Sequence, residues 1–163
     1  DLQGLKLVFV GPGNNVAHSL MLAGPRAGFD VVCASPQNLP PAPDILAIAE
    51  ANAKAAGTSV KVEHDVLAAV QGARCVYTDT WVSMGQELEA TQLHEQLRNY
   101  MVTEQVMQAA AADAVFMHCL PAHRGEEVAA SVIDGPRSVV WDEAENRLHA
   151  QKALLEFLLT QAG

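Results

Sequence analysis

The sequence predicts an α/β fold: a doubly wound, mainly parallel sheet of about five strands with helices on both faces. Two observations carry that expectation. Short apolar, β-prone runs alternate with segments of helical spacing along the chain, the order expected of βαβ units. The strand-like runs are also close to continuously apolar, as in parallel strands buried on both faces.

Residues 5–10 are apolar except for Lys6 and stop at Gly11, so a strand is expected there. Residues 15–27 have helical spacing, and residues 30–34 form a second strand closed by Ser35 and Pro36. The proline-rich stretch 39–43 reads as a loop. Asp44 is then the expected N-cap of a helix over 44–56, stopped at Gly57. Strands are expected at 60–63 and 75–78 with a compact helical turn over 66–70 between them. Helices at 86–97 and 103–111, strands at 114–118 and 138–140, and a final helix over 142–159 complete the alternation.

The 163 residues are expected to form one domain over 1–163, long enough to bury its own core. Ten basic residues against 19 acidic ones give a net charge of −9, which argues against a nucleic-acid or anionic-membrane partner and favours a small cation. No apolar run approaches the ~20 residues needed to span a bilayer. Cys33, Cys75 and Cys119 are odd in number and not closely paired, the usage of a reducing, cytoplasmic compartment. The chain starts at Asp1 and enters a core strand within a few residues. It is therefore expected to be a fragment, whose start leaves organellar targeting open.

Chemistry-bearing residues gather where strands one, four and five should end, the edge at which open α/β sheets bind ligands. Asp79-Thr-Trp-Val-Ser-Met-Gly-Gln86 follows one strand, and His118-Cys-Leu-Pro-Ala-His-Arg-Gly-Glu-Glu-Val128 follows another. Read structurally, Asp79 caps a turn, Trp81 packs, and Cys119 is a buried thiol at a strand end. Read functionally, an acid, a hydroxyl, a thiol, imidazoles and a guanidinium suit a charged small molecule. His118, Cys119 and His123 lack the paired spacing of structural zinc sites, and no metal is expected on them. A Cys-His nucleophile pair has no nearby acid to orient the imidazole. Gly11-Pro12-Gly13-Asn14-Asn15 invites a dinucleotide reading, a nicotinamide-dependent oxidoreductase domain. Val16 stands where that fingerprint needs a third glycine, and no ribose-binding acid follows the second strand.

Both long segments resemble the ornithine transcarbamylases. The match continues through Gly13-Asn14-Asn15-Val-Ala-His-Ser19 and Trp141-Asp-Glu-Ala-Glu-Asn-Arg147, in the family's order and near both ends of the chain. One departure is Pro12, where the family usually carries an acid. The resemblance implies the ornithine-binding half of an enzyme that makes citrulline and phosphate from L-ornithine and carbamoyl phosphate, with no cofactor. It assigns Asn15, Asp79, Ser83 and Met84 to ornithine, Asp79 to its α-ammonium group. Cys119, Leu120 and Arg147 fall to the carbamoyl phosphate side, with Cys119 and Arg147 as the catalytic pair. It further implies a cis Leu120-Pro121 bond and a carbamoyl-phosphate domain absent from this chain. The full-length family enzyme is expected to be a homotrimer or larger. This piece alone is expected to be inactive and either monomeric or associated non-natively through its last helix. A non-catalytic domain of the same fold would carry the same motifs.

Overall fold

The computed structural model describes residues 2–82 and 90–161. Five parallel strands lie in the order β3-β2-β1-β4-β5. In sequence they are β1 (Lys6–Val10), β2 (Asp30–Ala34), β3 (Val60–Glu63), β4 (Cys75–Thr78) and β5 (Val115–His118). The helices are α1 (Asn15–Ala27), α2 (Pro43–Ala56), α3 (Val66–Ala69), α4 (Ala90–Leu97), α5 (Glu104–Ala109), α6 (Ala130–Ile133) and α7 (Val140–Gln161), with a 3-10 turn at Arg98–Tyr100.

Alternation along each strand sends side chains to opposite faces of the sheet. Val8, Val10, Val32, Val76 and Phe116 pack with Val66, Val106, Met107 and Ile133 on one side. Leu7, Phe9, Val31, Cys33, Cys75 and Tyr77 pack with Ala17, Met21, Ala49 and Ala53 on the other. Both faces are therefore covered, as the continuous apolar runs require.

Strand order reverses between β1 and β4, which makes their shared C-terminal edge the topological switch point. Register brings three strand ends level there: Val10 pairs with Thr78, and Thr78 with His118. The Thr78 hydroxyl donates to the Val10 carbonyl at 2.6 Å and locks two of those ends together. Behind them the β1–α1 turn presses against the proline-rich loop. Gly13 N donates to Leu39 O at 2.9 Å, and a Cβ at Gly13 would lie 2.1 Å from Pro41 N. Only glycine fits that approach.

Several expected boundaries move, each for a local reason. Asp44 is not the N-cap of α2. Pro43 takes the first helical position, which needs no N–H, and Asp44 contributes its charge inside the first turn. Gly57 does end the helix, in the left-handed conformation. α5 is capped by Thr103 and stops short of 111 because Ala111 N leaves the helix to donate to Ala73 O at 3.0 Å. α3 ends at Ala69, with Asp65 capping it through Leu67 N and Ala68 N.

The strand expected at 138–140 does not form. Ser138 makes one isolated bridge to Phe116, and Val140 already begins α7, two residues before the expected start. Gly135 and Pro136 leave too little chain beside β5 for a sixth strand. The single turn α6 has no counterpart in the sequence reading. Of the helix expected over 86–97, residues 90–97 are seen, and the rest lies outside the described residues. Among the described residues no helix is long and apolar enough to cross a membrane.

Candidate active site

The level strand ends deliver three polar side chains to one point. Asn14 caps α1, its Oδ1 accepting from Val16 N and Ala17 N at 3.0 Å each, so its amide nitrogen is free to reach across the crevice. That nitrogen donates to Asp79 Oδ2 at 2.8 Å. Asp79 Oδ1 accepts from Thr80 N at 2.8 Å and from the Cys119 thiol at 3.0 Å. An acid at a buried strand end is thus satisfied by donors from all three loops.

Cys119 remains a thiol in this setting. Burial pushes its pKa up to about 12, and the Asp79 hydrogen bond, the Asp79 charge and the Glu143 charge act in the same direction. The imidazole beside it offers no base. His118 is fully buried; its Nδ1 accepts from Leu120 N at 2.9 Å, and its Nε2 lies 3.3 Å from Glu127 Oε1, off line for a hydrogen bond. Glu127, also fully buried, is therefore the nearby acid that the sequence reading found lacking. It supports His118 without making Cys119 a nucleophile, because neither ring nitrogen faces the thiol.

The turn after β5 is held from both ends. Glu127 Oε1 accepts from His123 N at 2.5 Å, while Glu143, from the first turn of α7, accepts from His118 N at 3.0 Å and from the Tyr77 hydroxyl at 2.5 Å. Burial and the Glu143 carboxylate raise the Tyr77 pKa, so the phenol stays a donor. Between these anchors Leu120 takes φ 55, and the Leu120-Pro121 bond is cis as expected. A leucine in the left-handed region costs on the order of 1–3 kcal/mol, and such positions cluster at binding sites.

The structure thus brings Asp79, Cys119 and Leu120 to the switch-point crevice. Asn15 is exposed in the first turn of α1, and Asn14 is the residue engaged with Asp79. Arg147 is exposed on α7, two turns into the helix, and stands outside the Asp79–Cys119 network. Ser83 and Met84 lie outside the described residues. Trp81 is buried in the core, as its packing reading anticipates. Asn14, Glu127 and Glu143 are the site residues to which sequence reasoning assigned no role. For Asn14 the signal was present: asparagine directly before a helix is a preferred N-cap, and that fixes where its amide points. Glu127 and Glu143 carried none, since acids in a loop or an opening helical turn are ordinary.

The family model for the Asp/Orn-binding domain of aspartate/ornithine carbamoyltransferase matches residues 3–158. The ornithine carbamoyltransferase of Symbiobacterium thermophilum is 57% identical over 158 residues, covering 97% of this chain and 51% of that protein. The ornithine carbamoyltransferase structure from Pyrococcus furiosus superposes with a TM-score of 0.90 at 53% identity, over 94% of this chain and 49% of that one. An N-acetyl-L-ornithine transcarbamylase variant complexed with PALAO superposes at 0.82 with 32% identity, over 95% of this chain and 49% of that one. The chain spans about half the length of the relatives it matches. None of these matches supports a nicotinamide-dependent oxidoreductase, and β2 ends at Ala34, followed by Ser35, without the acid that a dinucleotide ribose needs. The matched segment runs from before β1 into the last helix, and the chain belongs to the Asp/Orn-binding domain family of the aspartate/ornithine carbamoyltransferases.

Proposed function

We propose that this domain binds L-ornithine for carbamoyl transfer from carbamoyl phosphate, yielding citrulline and phosphate, and that a second domain outside these 163 residues supplies most of the phosphate contacts. The observation that carries the reading is the Asp79 carboxylate, held by Asn14 and Cys119 at the switch point of an acidic domain. A carboxylate fixed in a crevice is a fitting partner for the α-ammonium group of a cationic amino acid. Asn15, Ser83 and Met84 are the further ornithine contacts. The 57%-identical relative's name and the family's Ser-Met-Gly segment at 83–85 favour ornithine over aspartate.

The reaction needs a neutral δ-amine, and an alkylammonium near pKa ~10.4 supplies little at pH 7. Selecting the neutral form and holding it against the carbonyl is therefore the main task of the site. Cys119 and Leu120 flank the reacting amine and carbamoyl group, the Leu120 carbonyl accepting from the carbamoyl NH2. Because the thiol is protonated, Cys119 serves as a hydrogen-bonding wall, with no covalent intermediate. Arg147 binds the carbamoyl phosphate oxyanions, a role suited to a planar guanidinium. The full-length protein acts in the cytoplasm in amino-acid metabolism and assembles as a homotrimer or larger.

Calorimetric titration with L-ornithine, with and without a separately expressed carbamoyl-phosphate domain, tests this reading. Citrulline formation is expected only in the mixture. Citrulline made at an ordinary rate by the purified 163-residue chain alone would overturn the two-domain site.

A further inference from the structure

Beyond the crevice, the chain folds residues 123–127 into a closed turn. Glu126 N donates to His123 O at 3.1 Å, and Gly125 N donates to Val128 O at 2.8 Å. The turn stacks three potential ligands, and one ligand atom each from His123, Glu126 and Glu127 lies within 4.8 Å of the other two. His123 Nδ1 is 4.0 Å from Glu126 Oε2 and 3.8 Å from Glu127 Oε2. A fourth group arrives from α4: His94 Nε2 lies 3.4 Å from Glu126 Oε2, its ring packed edge-on against Trp81.

One atom in this group is out of balance. Among the described residues Glu127 Oε2 is buried and has no hydrogen-bond partner, while Oε1 is taken by His123 N. At 3.8 Å, His123 Nδ1 is too far to supply the missing bond. A buried carboxylate oxygen without a partner costs free energy that a cation shared with its neighbours would remove.

We propose that His94, His123, Glu126 and Glu127 bind one divalent transition-metal ion of the zinc class, tying α4 to the turn that follows β5. A tetrahedral ion with bonds of about 2.0–2.2 Å keeps its donors roughly 3.3–3.6 Å apart. Within the turn, separations of 3.8 and 4.0 Å approach that spacing, and His94, 3.4 Å from Glu126 but outside the cluster that lies within 4.8 Å, would swing inward to complete the set. Two imidazoles with two carboxylates match zinc-like ions. Magnesium and calcium ask for six or more oxygens. Glu127 is fixed through Oε1 by the His123 backbone N–H, with the His118 ring packed 3.3 Å away, the kind of support that orients metal-bound carboxylates. The set differs from the His118, Cys119 and His123 grouping set aside above on its spacing; in the structure His118 turns to Leu120 and the Cys119 thiol to Asp79.

The test is titration of the chelator-treated chain with zinc chloride by calorimetry, paired with cobalt(II) absorption. One ion per chain is expected, with a tetrahedral cobalt spectrum lacking a thiolate charge-transfer band. His94→Ala and Glu126→Gln, both at partly exposed positions and checked for folding by circular dichroism, should each weaken binding at least about tenfold. Cys119→Ser should leave it unchanged. Absence of saturable binding, affinity undiminished from the parent chain in His94→Ala or Glu126→Gln, or loss of binding in Cys119→Ser would each overturn the assignment. Ion affinity is read without ornithine, so this outcome is independent of the proposed reaction.

Discussion

Asp79 accepts from Asn14, Thr80 and Cys119, and its substitution should therefore be felt at each. Asp79→Asn removes a negative charge and changes the thiol's acceptor, two of the causes that raise the Cys119 pKa to about 12. The pKa should fall, and iodoacetamide should alkylate Cys119 faster at about pH 9, near an unperturbed thiol pKa. Peptide mass spectrometry separates this from Cys33 and Cys75, whose rates should not change because burial shields them. Asp79→Ala in the reconstituted two-domain enzyme should cost roughly 1.5–3 kcal/mol of ornithine binding, a loss of about tenfold or more. Unchanged ornithine affinity would remove Asp79 from its role. Asp79, Cys119 and Leu120 were legible because polar or conformationally special residues sat where β-prone runs stopped. The Glu127–His118 contact was not, since it depends on a turn folding back by a path that spacing does not reveal.

The β1–α1 turn is the element on which the crevice geometry depends most. Gly13→Ala would place a methyl 2.1 Å from Pro41 N, against backbone that cannot swing aside. Destabilisation of roughly 1–3 kcal/mol is expected in urea unfolding. A parallel loss of ornithine affinity should follow from the displaced Asn14. A neutral result would mean that the proline-rich loop yields freely. The strands were readable almost to the residue because each is a short apolar run bounded by a turn-former. β2 spans Asp30–Ala34 and β3 spans Val60–Glu63, as expected. What failed depends on neighbours. Ser138 has β-prone company in sequence, but Gly135 and Pro136 precede it and the acids of α7 follow, so the segment becomes a single bridge and then a helix.

Across the whole molecule, α7 is the least settled feature. Leu148, Leu154, Leu155, Phe157, Leu158 and Leu159 are 55 to 76% exposed, a contiguous apolar surface of the kind that marks an interaction site. Sedimentation velocity of the isolated chain should show concentration-dependent association, abolished by Leu155→Glu with Leu159→Glu. A monomer at all concentrations before substitution would count against it. Stability should also respond to alkali. Burial raises Cys33, Cys75 and Cys119 to about 12 from a reference of 9.0, so the folded state disfavours their thiolates. Their stabilising contribution is fully present below about pH 9 and is lost as pH rises from 9 toward 12. Urea midpoints measured across that window should fall, and serine at all three positions should flatten the decline. The switch-point topology has a kinetic consequence. Asn14 and Asp79 are 65 residues apart in sequence, and Asp79 and Cys119 are 40 apart. Closing such loops costs entropy before any contact repays it, and parallel pairings of this kind form slowly. No half of the sheet contains the assembled crevice, so a ligand held there binds only a chain that has joined β1, β4 and β5. Ligand-binding competence, followed during refolding, would therefore time the closure of the central sheet and lag behind the helical signal.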